Sequence, residues 1–259
     1  MKELFTVWRN TRMVVLVGVS AALYVALLLP FKAIQIVPGF TELRPGAAIP
    51  PVCSMLFGPA GAWGAAIGNL IADMFGMFGL GSIFGFFGNL ALGYIPYRMW
   101  KALTQDKPTM RSPRHYAIFA LSVFAAGASC GVIIGWGVHF LGFVPFSFLG
   151  NFITLQNVLA GLVLGAPLLL ATYSRLDRMG LTHDSIMDEA DRSRSRFPKL
   201  AIFLVVGAVV GALVVGNVVC VQAHDLEVMK FAQGAPSNVA FGLALSPFML
   251  VLLVGLILL

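Results

Sequence analysis

Long apolar segments with almost no charge recur along this chain, and polar or charged segments separate them. The pattern predicts eight membrane-spanning helices, over residues 13–31, 45–57, 59–76, 83–100, 115–142, 151–173, 200–220 and 238–258. A helix needs about 20 apolar residues to cross a bilayer. The segment 45–57 is shorter than that and contains Pro50 and Pro51, so we expect a tilted or interrupted helix there.

The composition of the chain agrees with this pattern. Apolar residues make up 59% of the 259 residues and charged residues 11%, and the mean hydropathy is +0.90. Soluble domains carry about a quarter charged residues. We therefore expect an all-α polytopic membrane bundle, in which each helix satisfies its own backbone polar groups. The apolar run 13–31 is longer than a typical signal-peptide core and is interpreted as a span.

The basic residues predict the orientation of the bundle. With both termini in the cytoplasm, 14 of the 17 Lys and Arg residues lie inside, and only Lys32, Arg44 and Lys230 lie outside. The positive-inside rule favours this arrangement. The net charge of +6 is then explained by topology and by contact with anionic lipid, and no nucleic-acid surface is indicated. The loops divide into two outer ones, 31–44 and 221–237, and two inner ones, 101–114 and 174–199.

Three parts follow from the spacing of the spans: a six-helix membrane core over 1–173, a charged cytoplasmic linker over 174–199, and a two-helix membrane hairpin over 200–259. The linker mixes acidic and basic residues and is expected to be a surface helix or a hinge. The three cysteines, Cys53, Cys130 and Cys220, are isolated from one another. They are interpreted as packing residues, so neither a metal site nor a disulfide is expected.

Amide and ionisable side chains within the spans concentrate in the predicted outer halves. Such groups are costly in hydrocarbon unless they face a cavity or each other. Their one-sided distribution favours a polar pocket that opens to the outside. The alternative for each residue is an ordinary interhelical hydrogen bond or a position at the level of the lipid head groups. The residues are Asn69, Asp73, Asn89, His139, Asn151, Gln156, Asn157 and Asn217.

The loop over 31–45 brings an aromatic side chain and two charges next to prolines that restrict its mobility. Phe40, Glu42 and Arg44 lie within five residues of one another. Binding residues are often found on constrained loops above a rigid scaffold. This loop is therefore a candidate lid for the pocket.

Several chemical signatures are absent from the sequence. It contains no GxxxxGK[ST] motif for ATP, no cluster of Cys and His ligands and no nucleophile elbow. A membrane-embedded enzyme would need a catalytic set of residues, and an assembly factor a comparable signature; the sequence shows neither. We therefore expect no enzymatic activity and no cofactor.

The stretch ELRPGAAIPPVCSMLFGPAGAWGAAIGNLIADMFG (42–76) resembles the substrate-binding S components of energy-coupling factor (ECF) transporters. The similarity lies in a proline-bearing second helix, an FGPAG turn at 57–61, and a Gly/Ala-rich third helix with a polar end at Asn69 and Asp73. The first helix carries Ala22 and Ala26, which resemble the small-residue docking motif of that family. The resemblance covers about residues 13–173, with six helices as in the family.

The resemblance implies an uptake subunit of the plasma membrane. Such a subunit captures a vitamin or a related water-soluble micronutrient and delivers it with a transmembrane coupling subunit and two ATPase subunits. The family pattern assigns docking to Ala22 and Ala26, which share one helix face. The ligand could be riboflavin-like, deazapurine-like or another heteroaromatic compound. Substrate binding falls on Phe40, Glu42, Arg44, Asn89, His139, Asn151, Gln156 and Asn157.

Residues 174–259 depart from the S-component pattern, because two further spans follow the six-helix core. They could form an accessory hairpin or an oligomerisation element. They are also the feature that favours the alternative function, a stand-alone secondary transporter or facilitator that uses the same pocket without an ATPase. Co-purification with ATPase subunits would separate the two functions.

Overall fold

A computed structural model shows a bundle of helices and describes residues 2–187, 192, 195–223 and 239–259. Two short strands, β1 (Gln35–Val37) and β2 (Thr41–Glu42), lie between the second and third helices. The all-α bundle predicted from the sequence is confirmed. The helices are α1 (Lys2–Thr6), α2 (Thr11–Leu28), α3 (Ile49–Phe57), α4 (Pro59–Asp73), α5 (Gly81–Leu103), α6 (Pro113–Phe140), α7 (Phe146–Ala160), α8 (Ala166–Arg178), α9 (His183–Ile186), α10 (Pro198–Ala223) and α11 (Val239–Leu258).

Each of the eight predicted spans contains a helix. Five helical stretches of the described chain are long and apolar enough to cross a membrane: Thr11–Phe31, Pro113–Phe140, Phe146–Ile186, Pro198–Cys220 and Phe241–Leu258. The predicted interrupted helix is α3, which has nine residues, all of them buried. Because protein surrounds α3, its length need not match the thickness of the lipid. Most of the predicted outer loop 221–237 lies outside the described residues.

Side-chain caps fix where two of the spans begin. The Asn10 side chain accepts hydrogen bonds from the backbone N–H groups of Arg12 and Met13 at the start of α2. Ser112 accepts one from His115 N at 3.2 Å at the start of α6, where Pro113 occupies the first position of the helix. Both caps satisfy N–H groups that the first turn of a helix leaves unpaired.

The FGPAG turn joins α3 to α4 and admits only glycine at its second position. Gly58 has φ +56° and ψ −124°, and its N–H donates to Ser54 O at 2.7 Å. A Cβ atom on Gly58 would lie 2.5 Å from Cδ2 of His183 in α9. Pro59 then starts α4, because its fixed φ suits the first turn of a helix. The turn therefore ties α9, which lies in the predicted linker, to the core.

Small residues let the helices of the core approach closely. A Cβ on Gly135 of α6 would lie 2.7 Å from the Cα of Gly150 in α7, so these backbones are nearly in contact. The hairpin of α10 and α11 packs against α5, α6 and α7. We call the end of the bundle with β1 and β2 the β end. The opposite end, with residues 104–112 and 179–187, is called the linker end.

Candidate functional site

The loop between α2 and α3 folds back over the β end as a small hairpin. Gln35 pairs with Glu42 and Val37 with Thr41, and Gly39 has φ +79° in the turn between them. The two residues of β2, Thr41 and Glu42, point into the bundle, as their exposed fractions of 1% and 0% show. The loop that the sequence predicted as a lid therefore inserts polar groups among the helices.

Arg44 connects this hairpin to α4. Its guanidinium Nη2 donates to Asn69 Oδ1, and its Nε lies 3.3 Å from Glu42 Oε1 in an ion pair. Asn69 Nδ2 in turn donates to Asp73 Oδ2 at 3.2 Å. Lys32 Nζ completes the group, at 3.7 Å from Glu42 Oε1 and 3.8 Å from Asp73 Oδ1. Two cations and two carboxylates thus form one buried network, with Asp73 inside it and not at the lipid surface.

Three further helices, α2, α5 and α7, supply amides and a hydroxyl group beside this network. Tyr24 of α2 donates from its hydroxyl to Asn89 Oδ1 at 2.8 Å, and Asn89 Nδ2 donates to Gly85 O at 2.8 Å. Gln156 of α7 donates from Nε2 to Thr41 Oγ1 at 3.4 Å. The hairpin therefore contacts α4 and α7 through side chains. Tyr24 and Lys32 were not among the predicted site residues, because a tyrosine within an apolar span and a lysine just after it do not by themselves indicate that the side chain faces the interior.

A cavity of about 340 Å³ opens at the β end next to this network. Phe40 and Phe143 form part of its wall, with ring centroids 5.5 Å apart and an interplanar angle of 42°. Volumes of this size are typical of small-molecule sites, which combine apolar walls with a few polar groups. The polar lining is Arg44, Asn69, Asp73 and Ser82.

Several buried polar atoms around the network have no hydrogen-bond partner. They are Glu42 Oε1 and Oε2, Arg44 Nε, Gln156 Oε1 and Asn157 Nδ2. Buried polar groups in folded proteins nearly always have a partner, and an unpaired one costs about 1–3 kcal/mol. Arg44 Nε and Glu42 Oε1 still contact each other as an ion pair, and other buried atoms without a hydrogen-bond partner lie at the linker end, on Tyr94, Tyr97 and His183. The atoms on the hairpin and on α7 lie close to the β-end cavity, so donors and acceptors of a bound molecule could pair with them.

His139 and Asn151, which the sequence analysis placed with the other candidate residues, lie elsewhere. His139 Nδ1 accepts from Phe146 N at 2.8 Å, and its ring stacks on Phe241 of α11 at 3.9 Å. Asn151 exchanges hydrogen bonds of 2.6 and 3.1 Å with Asn217 of α10. Their described contacts therefore join the core to the α10–α11 hairpin. The sequence could not reveal this, because the partners belong to the part of the chain beyond the six-helix pattern.

A second cavity, of about 440 Å³, lies at the linker end. Its charged lining residues are already bonded within the protein. Lys101 Nζ lies 2.9 Å from Asp184 Oδ1, and Arg98 Nε donates to Leu259 O at 2.8 Å. These contacts fasten the linker and α11 to the core. Buried atoms without a hydrogen-bond partner lie at this end too, on Tyr97 and His183. We favour the β end as the candidate ligand site because Arg44 and Asp73 line its cavity, next to Glu42, Gln156 and Asn157, whose hydrogen bonding is incomplete.

The helix face predicted for docking is exposed in the structure. Ala22 and Ala26 of α2 are both exposed, and a Cβ on Gly18, one turn earlier, would meet nothing within 4 Å. These three small residues form a stripe at four-residue spacing, which we call the α2 stripe. The α10–α11 hairpin packs on α5, α6 and α7, so the helices beyond the core lie against other members of the bundle.

The fold and the cavity together define a class: a multispan membrane protein with a cavity lined by polar and apolar groups at one end of its helix bundle. A family model described as QueT transporter matches residues 14–174, which is more than half of the chain. The chain therefore belongs to the QueT transporter family, a family of ECF-type S components, and is a membrane uptake subunit for a micronutrient. The predicted resemblance is confirmed. No curated protein and no solved structure matches the chain.

Proposed function

We propose that this S component binds a queuosine precursor, a deazapurine base, in the β-end cavity and delivers it into the cell with an ATPase-driven coupling module. The family to which the chain belongs supports the ligand class. The observation that carries the proposal is the set of buried atoms without a hydrogen-bond partner on Glu42, Arg44, Gln156 and Asn157, of which Arg44 lines the cavity. A deazapurine presents ring donors and acceptors to such groups, and its flat face suits Phe40 and Phe143.

The site in this proposal consists of Phe40, Glu42, Arg44, Asn89, Gln156 and Asn157 from the predicted set, with Tyr24, Lys32, Asn69 and Asp73 added from the structure. In this proposal, His139 and Asn151 hold the α10–α11 hairpin to the core and do not contact the ligand. We also propose that the protein lies in the plasma membrane with both termini in the cytoplasm, so that the β end faces outside. The division into core, linker and hairpin at 173 and 199 belongs to the same proposal.

Coupling is proposed to use the α2 stripe. Ala22, Ala26 and Gly18 leave room for a helix of a transmembrane partner to approach the backbone closely. The second candidate function is a stand-alone carrier, which the additional helices α10 and α11 favour. Uptake in cells that lack every coupling ATPase would support the carrier, and loss of uptake there would support the S component.

Two asparagines on α7 give a matched test of the site. Asn157 is 1% exposed with an unpaired Nδ2, whereas Asn151 bonds Asn217. Asn157→Ala is expected to weaken deazapurine binding about 5- to 150-fold, since a lost hydrogen bond in a buried site costs about 1–3 kcal/mol. Asn151→Ala is expected to lower the melting temperature and to change affinity less than about twofold. Titration of the purified proteins measures both.

Equal affinities of the parent and Asn157→Ala would contradict the proposed site. A loss of affinity in Asn151→Ala as large as in Asn157→Ala would restore the original assignment of Asn151 to the ligand.

A further inference from the structure

Lys32 holds an unusual position between the two carboxylates of the site. Its Nζ lies 3.7 Å from Glu42 and 3.8 Å from Asp73, beyond hydrogen-bonding distance to either. Within the described part of the chain, the ammonium group donates a hydrogen bond to the thioether sulfur of Met77, at 3.2 Å. A thioether is a weak acceptor. Lys32 therefore balances the charge of the carboxylates but donates no hydrogen bond to either of them.

Glu42 has acceptor capacity that the protein leaves unused. Its side chain is 0% exposed, and its two ion pairs, with Arg44 Nε at 3.3 Å and Lys32 Nζ at 3.7 Å, both involve Oε1 and lack hydrogen-bond geometry. Oε2 has no hydrogen-bond partner among the described residues. An ionised carboxylate can accept about four hydrogen bonds. Buried carboxylates without such bonds are costly even beside a cation. A donor group that reached Glu42 at normal hydrogen-bond distance would remove this cost.

The two cations of the network differ in how firmly they are held. Arg44 donates to Asn69 and pairs with Glu42. Lys32 lies in the loop just after α2, and its side chain is 10% exposed. A lysine side chain is flexible and can carry its ammonium group into water while its stem remains in place. Lys32 is thus the cation that can leave.

We propose that Lys32 is an internal counter-ion that occupies the subsite for a cationic group of the ligand, between Glu42 and Asp73. The inference rests on the proposed function and adds that the transported base carries an ammonium group. The network of Lys32, Arg44, Glu42 and Asp73 is balanced in charge. A cationic ligand would leave an excess positive charge in a buried site unless Lys32 moved out. Binding of the ligand therefore displaces Lys32 and pairs Glu42 and Asp73 with the ligand ammonium.

Two deazapurine bases with the same ring test this proposal, one with an aminomethyl group and one with an uncharged cyano group in the same position. Both are titrated into the full chain in lipid nanodiscs. In Lys32→Met the ammonium subsite is vacant before binding. The quantity measured is the dissociation constant of the cyano base divided by that of the aminomethyl base. This ratio is expected to be about tenfold or more higher in Lys32→Met than in the parent, because one charge-assisted hydrogen bond contributes about that much.

The control is Lys107→Met, which removes a lysine paired with Asp177 at 2.8 Å at the linker end. It is expected to leave the ratio unchanged. Glu42→Gln provides a second, independent variant, because it removes a charge of the subsite. The ratio is expected to fall about tenfold there, since the ammonium loses its charged acceptor.

The possible results distinguish the deazapurine function from the counter-ion role of Lys32. If neither base binds the parent or any variant, the proposed deazapurine function fails. If the bases bind and the ratio is the same in the parent, Lys32→Met and Glu42→Gln, the function stands and the counter-ion role is wrong. A loss of affinity for both bases in Lys32→Met, together with a lower melting temperature, would make Lys32 a structural ion pair and would also overturn the proposal.

Discussion

Arg44 is the side chain on which the geometry of the β end depends. It comes from a loop, yet it is 7% exposed and reaches Asn69 on α4. A buried guanidinium is stable only where its charge is paired and its N–H groups have acceptors. Glu42, two residues earlier, supplies the charge. The sequence shows Glu42 and Arg44 as neighbours, but it does not show that both turn inward, because a two-residue strand with little alternation predicts no buried face.

Tyr24 offers a direct measure of the hydrogen bonding at this end. Its hydroxyl donates to Asn89 Oδ1 at 2.8 Å in a fully buried setting. Tyr24→Phe is expected to lower the free energy of unfolding by about 1 kcal/mol, because the amide oxygen of Asn89 loses a donor that no water replaces. Thermal unfolding in detergent measures the change.

Tyr116→Phe is the matched control for this substitution, since Tyr116 is 42% exposed. It is expected to leave the melting temperature unchanged. Equal effects of the two substitutions would show that the Tyr24–Asn89 bond contributes nothing to stability.

The residues that the sequence predicted for the pocket fall into two groups, according to the helices that they contact. Glu42, Arg44, Asn89, Gln156 and Asn157 converge on the β end, where unpaired atoms remain. His139 and Asn151 contact α10 and α11 instead. Polarity within a span is readable from the sequence, and so is the end of the bundle at which it lies. Which helix a polar side chain faces depends on packing, and packing was not predictable for helices that follow the six-helix pattern.

Individual elements were predicted well where the pattern was long. The boundaries of α6, predicted at 115–142, are Pro113–Phe140, because Ser112 and Pro113 fix the start. The span predicted at 151–173 begins earlier, at Phe146, and includes a π turn at Gly161–Gly165 before α8. In a π turn each backbone hydrogen bond spans one residue more than in an α-helix. The spacing of apolar residues in the sequence does not reveal such a turn.

The α2 stripe carries the element-scale prediction. Ala22→Leu and Ala26→Leu are expected to abolish association with a transmembrane partner, because the larger side chains prevent close approach of a helix. Ligand affinity is expected to remain within about twofold of the parent, since the substitutions add bulk at exposed positions. Co-purification with the coupling subunits and a binding titration measure the two effects.

Ala171→Leu is the matched control, because Ala171 is also exposed but lies on α8. Unimpaired association of the Ala22→Leu variant would remove the docking role from this face. Loss of folding in that variant would show that the stripe packs within the protein.

At the scale of the whole molecule, the orientation of the bundle is the prediction with the widest consequences. The positive-inside rule places the linker end in the cytoplasm and the β end outside. The native cysteines are buried, so single reporters can be introduced at the exposed positions Ile36 and Met179. Ile36→Cys is expected to react with an impermeant maleimide in intact cells, and Met179→Cys only after permeabilisation. Labelling of Met179→Cys in intact cells would reverse the topology.

Mass spectrometry of the small molecules released on denaturing the purified protein would identify the ligand of the β end. We expect a deazapurine base from the parent, retained in Asn151→Ala and strongly reduced in Asn157→Ala, because polar atoms of the β end that lack a partner within the protein hold the ligand. Release of a compound of another class, or of equal amounts of the base from the parent and Asn157→Ala, would contradict the proposed function.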